Sequence, residues 1–311
     1  MHIIIAGGSG LIGRALIQSL TADGHTVTVL SRSPGNVIDL PDGAEAVYWD
    51  GKTANDWGDA VNTTDAIVDL AGASIGGQSL LSTRWTSARR RRMVDSRLNA
   101  GKAILEAIDA ATHKPGVLLQ ASAIGYYGTH EDDRQLTEAA SPGHDFLANL
   151  CVQWEQGTKP VERMGVRRVI ARTGLVLSTR GGALPRQMLP FKFFAGGPMG
   201  SGEQWYSWIH LHDEIRAMRF LLENGDAKGA FNLTAPNPVT NAQFSEALGA
   251  AMNRPSWLTV PALALKLGLG EAAMMVLEGQ RVVPERLQAA GFMFDFSEVG
   301  PALLDVVRNR W

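Results

Sequence analysis

One cysteine, Cys151, is all the thiol chemistry that 311 residues carry. That excludes an internal disulfide framework and suits a reducing compartment. Long hydrophobic runs are missing too: the stretches at 260–269 and 272–277 are too short or too broken to span a bilayer. The first strand signal begins at residue 2, which leaves no room for a leader ahead of it. Together these features predict a cytoplasmic protein with no membrane contact. Charge of one sign is lacking as well, since 29 basic and 31 acidic residues leave a net charge of −2, which gives no electrostatic reason to expect nucleic acid. The run Arg89–Arg92 does not change that reading, because four successive helical residues spread around the helix. Metal chemistry finds little support: His210 and His212 alternate in an extended segment without a third ligand beside them. The content of 45% hydrophobic and 19% charged residues is ordinary for a globular enzyme with a full core.

What is present begins at residue 2. The segment His2-Ile3-Ile4-Ile5-Ala6 reads as a buried parallel strand and runs into Gly7-Gly8-Ser9-Gly10-Leu11-Ile12-Gly13. Three of its glycines do different things. Gly7 permits the tight turn, Gly10 lets backbone approach a pyrophosphate, and Gly13 lets the next helix pack close. A helix from Leu11 then aims free N–H groups at the phosphates, with Ser9, Leu11 and Ile12 in the contact set. Strand, glycine turn and amphipathic helix in succession favour a dinucleotide site over a merely tight loop.

Apolar runs alternate with helical patterns through the first half, as βαβ units require. Strands are predicted at 2–6, 26–31, 46–49, 66–70, 117–122, 168–172 and 229–233, and helices near 11–22, 84–112 and 146–164. Asp213 is the predicted N-cap of a helix over 214–223, and 241–311 reads as mainly helical. The predicted architecture is α/β: a Rossmann-like, doubly wound parallel sheet with a smaller, mainly helical C-terminal lobe. The division is 1–177 plus 208–235 for the nucleotide domain and 178–207 plus 236–311 for a substrate-binding lobe.

The second strand ends in Ser31-Arg32-Ser33, where a coenzyme with a free 2′-hydroxyl would call for a carboxylate. Arg32 can grip a 2′-phosphate and Ser31 can add a donor, so NADP(H) is favoured over NAD(H) and over a solvated cation. Asp50 either accepts from the adenine amino group or caps a turn with Gly51. Leu70-Ala71-Gly72 closes the fourth strand with small residues that suit passage of the coenzyme.

With these pieces come Arg84-Trp85-Thr86, Ser96-Arg97, Ser122-Ala123-Ile124-Gly125-Tyr126-Tyr127-Gly128, Trp154-Glu155, Arg172-Thr173-Gly174, Trp208-Ile209-His210, Gly229-Ala230-Phe231-Asn232 and Leu277-Glu278-Gly279-Gln280-Arg281-Val282-Val283-Pro284. In that order they resemble the extended short-chain dehydrogenase/reductase superfamily, in the atypical epimerase-family subgroup of its NAD-dependent epimerase/dehydratase branch. The resemblance implies a parallel sheet of about seven strands, a small C-terminal domain over 255–303, and NADP(H) contacts from Ser31, Arg32, Leu70, Ala71 and Arg97. It leaves a homodimer open.

The catalytic pattern of that superfamily departs here. Its Tyr-x-x-x-Lys pair places both side chains one turn apart on a helix. Counting back from Glu155, the Tyr position holds Leu147 and the Lys position Cys151. Ser122, at a strand end, is expected to orient a substrate oxygen. Tyr126 or Tyr127 either supplies a substitute phenol or packs there. Arg172 either meets an anionic substrate group or closes a structural ion pair; Trp205, Tyr206 and His210 are expected in the substrate cleft. Two functions follow: an NADP(H)-dependent oxidoreductase or epimerase-like enzyme acting on a small carbonyl or nucleotide-sugar-like substrate, or a non-catalytic NADP(H)-binding redox sensor.

Overall fold

A computed structural model describes residues 1–37, 39–77, 83–130 and 132–311. Within them a seven-stranded sheet runs in the order β11-β7-β5-β4-β1-β2-β3. The strands are β1 (His2–Ala6), β2 (Thr26–Ser31), β3 (Ala44–Tyr48), β4 (Ala66–Asp69), β5 (Val117–Ala123), β7 (Arg167–Thr173) and β11 (Gly229–Leu233). Every pairing in it is parallel. The order reverses between β1 and β4, the switch point at whose carboxyl ends such sheets bind ligands. Three two-stranded pairs lie outside it: β6 (Gln135–Leu136) with β13 (Arg281–Val282), β8 (Leu175–Leu177) with β10 (Trp208–His210), and β9 (Trp205–Tyr206) with β12 (Val239–Thr240).

Helices cover both faces because the central strands are apolar on both. On one face Ile3, Ile5, Val68 and Leu119 pack against α1 (Leu11–Ala22) and α5 (Leu211–Glu223). On the other, Ile4, Ile67 and Leu118 meet Ala100, Ala103, Ile104 and Ala107 of α2 (Ser87–Ala110). Small residues along α2 let it lie close to the sheet. A helix α3 (Phe146–Gly157) follows α2 on that face. The rest of the chain supplies α4 (Leu184–Lys192), α6 (Asn241–Met252), α7 (Ala262–Leu269), α8 (Met274–Leu277), α9 (Glu285–Ala289) and α10 (Val299–Asn309). Phe191, Tyr206, Trp208, Phe244, Leu303 and Val306 form a separate apolar cluster among them.

Several boundaries differ from expectation for local reasons. β3 begins at Ala44 and ends at Tyr48. α2 starts three residues later than the pattern suggests, because the Thr86 hydroxyl accepts from Arg89 N–H at 3.2 Å and caps it there. The helix expected over 146–164 ends at Gly157, and a 3₁₀ turn over Lys159–Met164 continues with Pro160 in its first turn. Asp213 is not an N-cap: His210 caps α5, its Nδ1 accepting from His212 N–H at 3.0 Å. Asp213 sits inside the first turn with no exposure. Its carboxylate accepts from the backbone N–H groups of Asp295 (3.1 Å) and Phe296 (2.8 Å) and pairs with Arg216 at 2.8 Å. It therefore ties the chain ahead of α10 to the sheet domain.

Asp213→Ala strips two part-buried backbone N–H groups of their acceptor, and each such loss costs about 1–3 kcal/mol. Urea unfolding is expected to show a stability loss of about 3 kcal/mol. A loss under about 1 kcal/mol would show that water replaces the carboxylate.

Candidate functional site

The glycine turn sits at the switch point. Gly7 has φ of +82°, and a Cβ there would stand 2.6 Å from the Leu70 carbonyl carbon. A Cβ on Gly13 would stand 2.6 Å from Gly8 Cα. These approaches draw β1, β4 and α1 together, so only glycine serves at either place. Gly10 is the N-cap of α1, and neither a capping side chain nor an acidic residue occupies that first turn. The N-terminal N–H groups of Leu11, Ile12 and Gly13 thus face the turn with no anion of the chain's own. The cradle fits a pyrophosphate.

Arg32 follows β2 and is exposed. Among the described residues no hydrogen bond or ion pair holds its guanidinium; its Cδ would lie 3.7 Å from a Cβ on Gly51. The Ser31 hydroxyl accepts from Ser33 N–H at 3.1 Å. Asp50 turns its carboxylate onto its own loop, accepting from Lys52 N–H (2.7 Å), Thr53 N–H (2.8 Å) and the Thr53 hydroxyl (3.0 Å). Those backbone bonds, Thr53 first, hold its pKa below the usual value. Of the two readings for Asp50, the turn cap is the bond set present.

Beyond Leu70 and Ala71, Gly72 lies directly over Arg97, whose guanidinium carbon would meet a Cβ there at 2.9 Å. Arg97 is 7% exposed. Its Nη1 donates to Met93 O (2.9 Å) and Ala73 O (3.2 Å), and its Cζ stands 4.7 Å from the Trp154 ring centroid. Arg97 braces the backbone that follows β4. Asp69 beside it is fully buried, and burial pushes its carboxyl up to about 7 against the opposing pull of the Ala71 N–H and Arg97.

Strand alternation corrects the expectation for Ser122. Leu118, Gln120 and Ser122 share one face of β5, and Gln120 Nε2 donates to Trp154 O of α3 at 2.7 Å. Ser122 therefore points under α3, 4% exposed, and its hydroxyl donates to Glu155 Oε1 at 2.7 Å. It is not placed to orient a substrate oxygen. Arg172 closes on the same carboxylate, with Nε to Oε1 and Nη2 to Oε2, both at 2.9 Å. This is the structural ion pair of the two alternatives. Burial disfavours the Arg172 charge, but Glu155 overcomes that and raises its pKa. Arg172 Nη1 also donates to the Tyr127 hydroxyl at 3.0 Å, and that hydroxyl donates to Asn232 Oδ1 at 2.7 Å. Tyr127 has no exposure, and burial pushes its phenol up to about 12 despite Arg172. Tyr126, half-buried, has Arg172 over its ring, with Cζ 3.4 Å from the centroid.

Leu147 and Cys151 pack against the 3₁₀ turn that holds both tyrosines: a Cβ on Gly125 would lie 3.4 Å from Leu147 Cβ and 4.0 Å from Cys151 Sγ. The Cys151 thiol is buried and pushed up to about 11, by burial first and by Glu155 second. An inert thiol results.

Two cleft expectations are also corrected. His210 has no exposure; its ring stacks on Phe296 at 4.0 Å and its Nε2 lies 3.3 Å from Asp305. It belongs to the packing between β10 and α10. Tyr206 is buried against Phe244, centroids 5.2 Å apart. Both side chains are taken up by aromatic packing, His210 on Phe296 and Tyr206 on Phe244. Trp205 stays half-buried, donating Nε1–H to Asp133 at 3.1 Å with Arg281 over its ring at 4.5 Å. His212, Asp213 and Asp295 gather their ligand atoms within 4.8 Å, but Arg216 Nη1 already sits on both carboxylates, at 2.8 and 3.0 Å.

A model of the NAD-dependent epimerase/dehydratase family matches residues 3–234. The chain belongs to that family. A second model, of a domain of unknown function (DUF1731), matches residues 260–306. The epimerase family protein Mb2239 of Mycobacterium bovis is 41% identical over 305 residues, covering 97% of this chain and 96% of the relative. The epimerase family protein YfhF of Bacillus subtilis is 36% identical over 310 residues, covering 100% and 99%. The crystal structure of human epimerase family protein SDR39U1 with NADPH superposes with a TM-score of 0.88 at 32% identity, over 99% of this chain and 100% of that one. This epimerase-family chain thus carries a Rossmann NAD(P)-binding fold. Among the described residues no helix is long and apolar enough to cross a membrane.

Glu155 and Asn232 are the site residues that motif reading passed over. Each stands in a family motif, yet only folding brings them to Arg172.

A second buried acid, Glu214, accepts from the Thr173 hydroxyl at 2.8 Å, and burial pushes it up to about 8. Unperturbed carboxyls titrate at 3.8 for Asp and 4.5 for Glu. Between those values and the folded ones, the native state holds protons that the unfolded chain has released, so stability falls as pH rises. Urea midpoints at about pH 5 and about pH 8.5 should show that fall, flattened in Asp69→Asn/Glu214→Gln. An unchanged slope in the double variant would rule these two groups out as its source.

Proposed function

We propose that this epimerase-family protein is an NADP(H)-dependent oxidoreductase or epimerase-like enzyme. Its substrate is a small carbonyl or nucleotide-sugar-like compound, held between the nucleotide domain and a lobe built from 178–207 and 236–311. One observation carries the coenzyme choice: β2 ends without a carboxylate, and the cation that follows, Arg32, is exposed and uncommitted among the described residues. A planar guanidinium there suits a 2′-phosphate, which an acidic residue would repel. NADPH in the human relative supports the same choice. Bound NADPH supplies hydride at its nicotinamide. The chain's part would be to hold the diphosphate on the first turn of α1 and the 2′-phosphate on Arg32.

A second reading rests on the apolar packing of Leu147 and Cys151 where relatives of the wider superfamily carry Tyr and Lys. In that reading the protein binds NADP(H) without turning it over. NADPH oxidation across aldehydes, ketones and nucleotide sugars separates the two: turnover supports the enzyme, and tight binding without turnover the sensor.

Calorimetry with Arg32→Ala tests the coenzyme. Loss of a charge-assisted contact should weaken NADPH by about 10- to 100-fold and NADH by no more than about twofold. Equal losses for both would remove Arg32 from the 2′-phosphate.

A further inference from the structure

An NADP(H)-dependent carbonyl reduction, the functional reading on which this inference rests, needs a proton at the substrate oxygen. The two dyad positions cannot give one. The protic side chains near the carboxyl ends of β5 and β7 can be taken in turn. Ser122 is buried beneath α3 with its hydroxyl on Glu155. The Cys151 thiol is buried against Gly125. Tyr127 is fully buried, its hydroxyl accepting from Arg172 and donating to Asn232. Tyr126 differs from all three: it is half-buried, and its hydroxyl makes no hydrogen bond among the described residues.

What surrounds Tyr126 is a rigid mount. The Arg172 guanidinium carbon lies over its ring, 3.4 Å from the centroid. Arg172 cannot swing away, because all three of its nitrogens are held: Nε and Nη2 by Glu155 at 2.9 Å, and Nη1 by the Tyr127 hydroxyl at 3.0 Å. Tyr127 adds an edge contact, centroids 5.3 Å apart and planes at 85°. The turn that carries Tyr126 follows β5, the strand paired with β4, and Leu70, the residue after β4, lies against the glycine turn at Gly7. A coenzyme held on the glycine turn would supply its hydride at the carboxyl ends of these strands, where Tyr126 stands.

We propose that Tyr126 is the proton donor of this site and that Arg172, gripped by Glu155, is the positioning residue that holds its ring. A phenol–guanidinium stack thereby takes over the work of the missing Tyr-x-x-x-Lys pair. In the reduction, the carbonyl carbon receives the hydride of NADPH as its π bond opens. The oxygen takes the Tyr126 hydroxyl proton, giving an alcohol and NADP⁺, and solvent returns a proton to the phenolate.

The test uses the full chain, NADPH, and diacetyl together with the carbonyl and nucleotide-sugar panel. Tyr126→Phe keeps the stacked ring and the fold while removing the proton. It should lower kcat by about 100-fold or more, the scale of general acid catalysis, with NADPH affinity unchanged within about twofold. Arg172→Lys keeps the charge opposite Glu155 but not the plane under Tyr126. It should lower kcat at least about tenfold without weakening NADPH. A merely structural Arg172 would be rescued by lysine.

A readout apart from turnover comes from tyrosines labelled with ¹³C at Cζ, with the Tyr126 resonance assigned by its absence in Tyr126→Phe. Saturating NADP⁺ should move that resonance in the wild type, and Arg172→Lys should lose the response while still binding NADP⁺. Turnover that survives Tyr126→Phe, or a Tyr126 signal unmoved by bound NADP⁺, overturns this inference alone. No turnover by the wild type on any compound overturns the enzymatic reading and this inference with it.

Discussion

The buried carboxylate of Glu155 is the point on which the candidate site turns. One oxygen takes a hydroxyl from β5 and a guanidinium N–H from β7, and the other takes a second guanidinium N–H. Two strands and a helix are thereby fixed to one another by a group that has left water. Withdrawing either charge alone leaves the other buried and unpaired, at a cost of about 3–5 kcal/mol. Such a pair adds less to net stability than its Coulomb energy suggests, because both ions lose hydration. Its contribution here is geometric: it gives Arg172 one orientation, and Arg172 passes that orientation to both tyrosines.

The nucleotide end of the molecule was legible from residues alone, because its requirements are local. A strand, three glycines and a helix start are neighbours in sequence, and the reason for each glycine is a backbone approach within a few residues or onto the adjacent strand. The seven strands and their parallel, doubly wound arrangement followed from alternation of apolar runs with helical patterns. Boundaries were less legible, since Thr86 and Pro160 decide them through single caps and ring constraints that periodicity does not weigh.

The reactive end was not legible, for a different reason. Ser122 occupies a plausible strand end, but one residue of register decides which face it takes, and the apolar signal of β5 is strong on both faces. Tyr206 looked like a cleft residue from its place beside a glycine-rich stretch, and His210 from an extended segment without metal partners; the packing of Phe244 and Phe296 against them emerges only in the tertiary fold. Glu155 is 17 residues from Arg172 and 33 from Ser122, so no local pattern announces their meeting. Family membership does not supply the missing chemistry either, because one fold hosts many reactions.

The cluster has one further link. Asn232, which accepts from Tyr127, donates through its own amide to the main-chain oxygen of Val283, next to β13, at 2.9 Å. The handshake between sheet and C-terminal segment is thus made with backbone on the distal side. The Val283 side chain can therefore change while the anchor beneath the tyrosines stays in register. Side-chain identity at that position and the alignment of the arginine cluster are mechanically separable in this architecture.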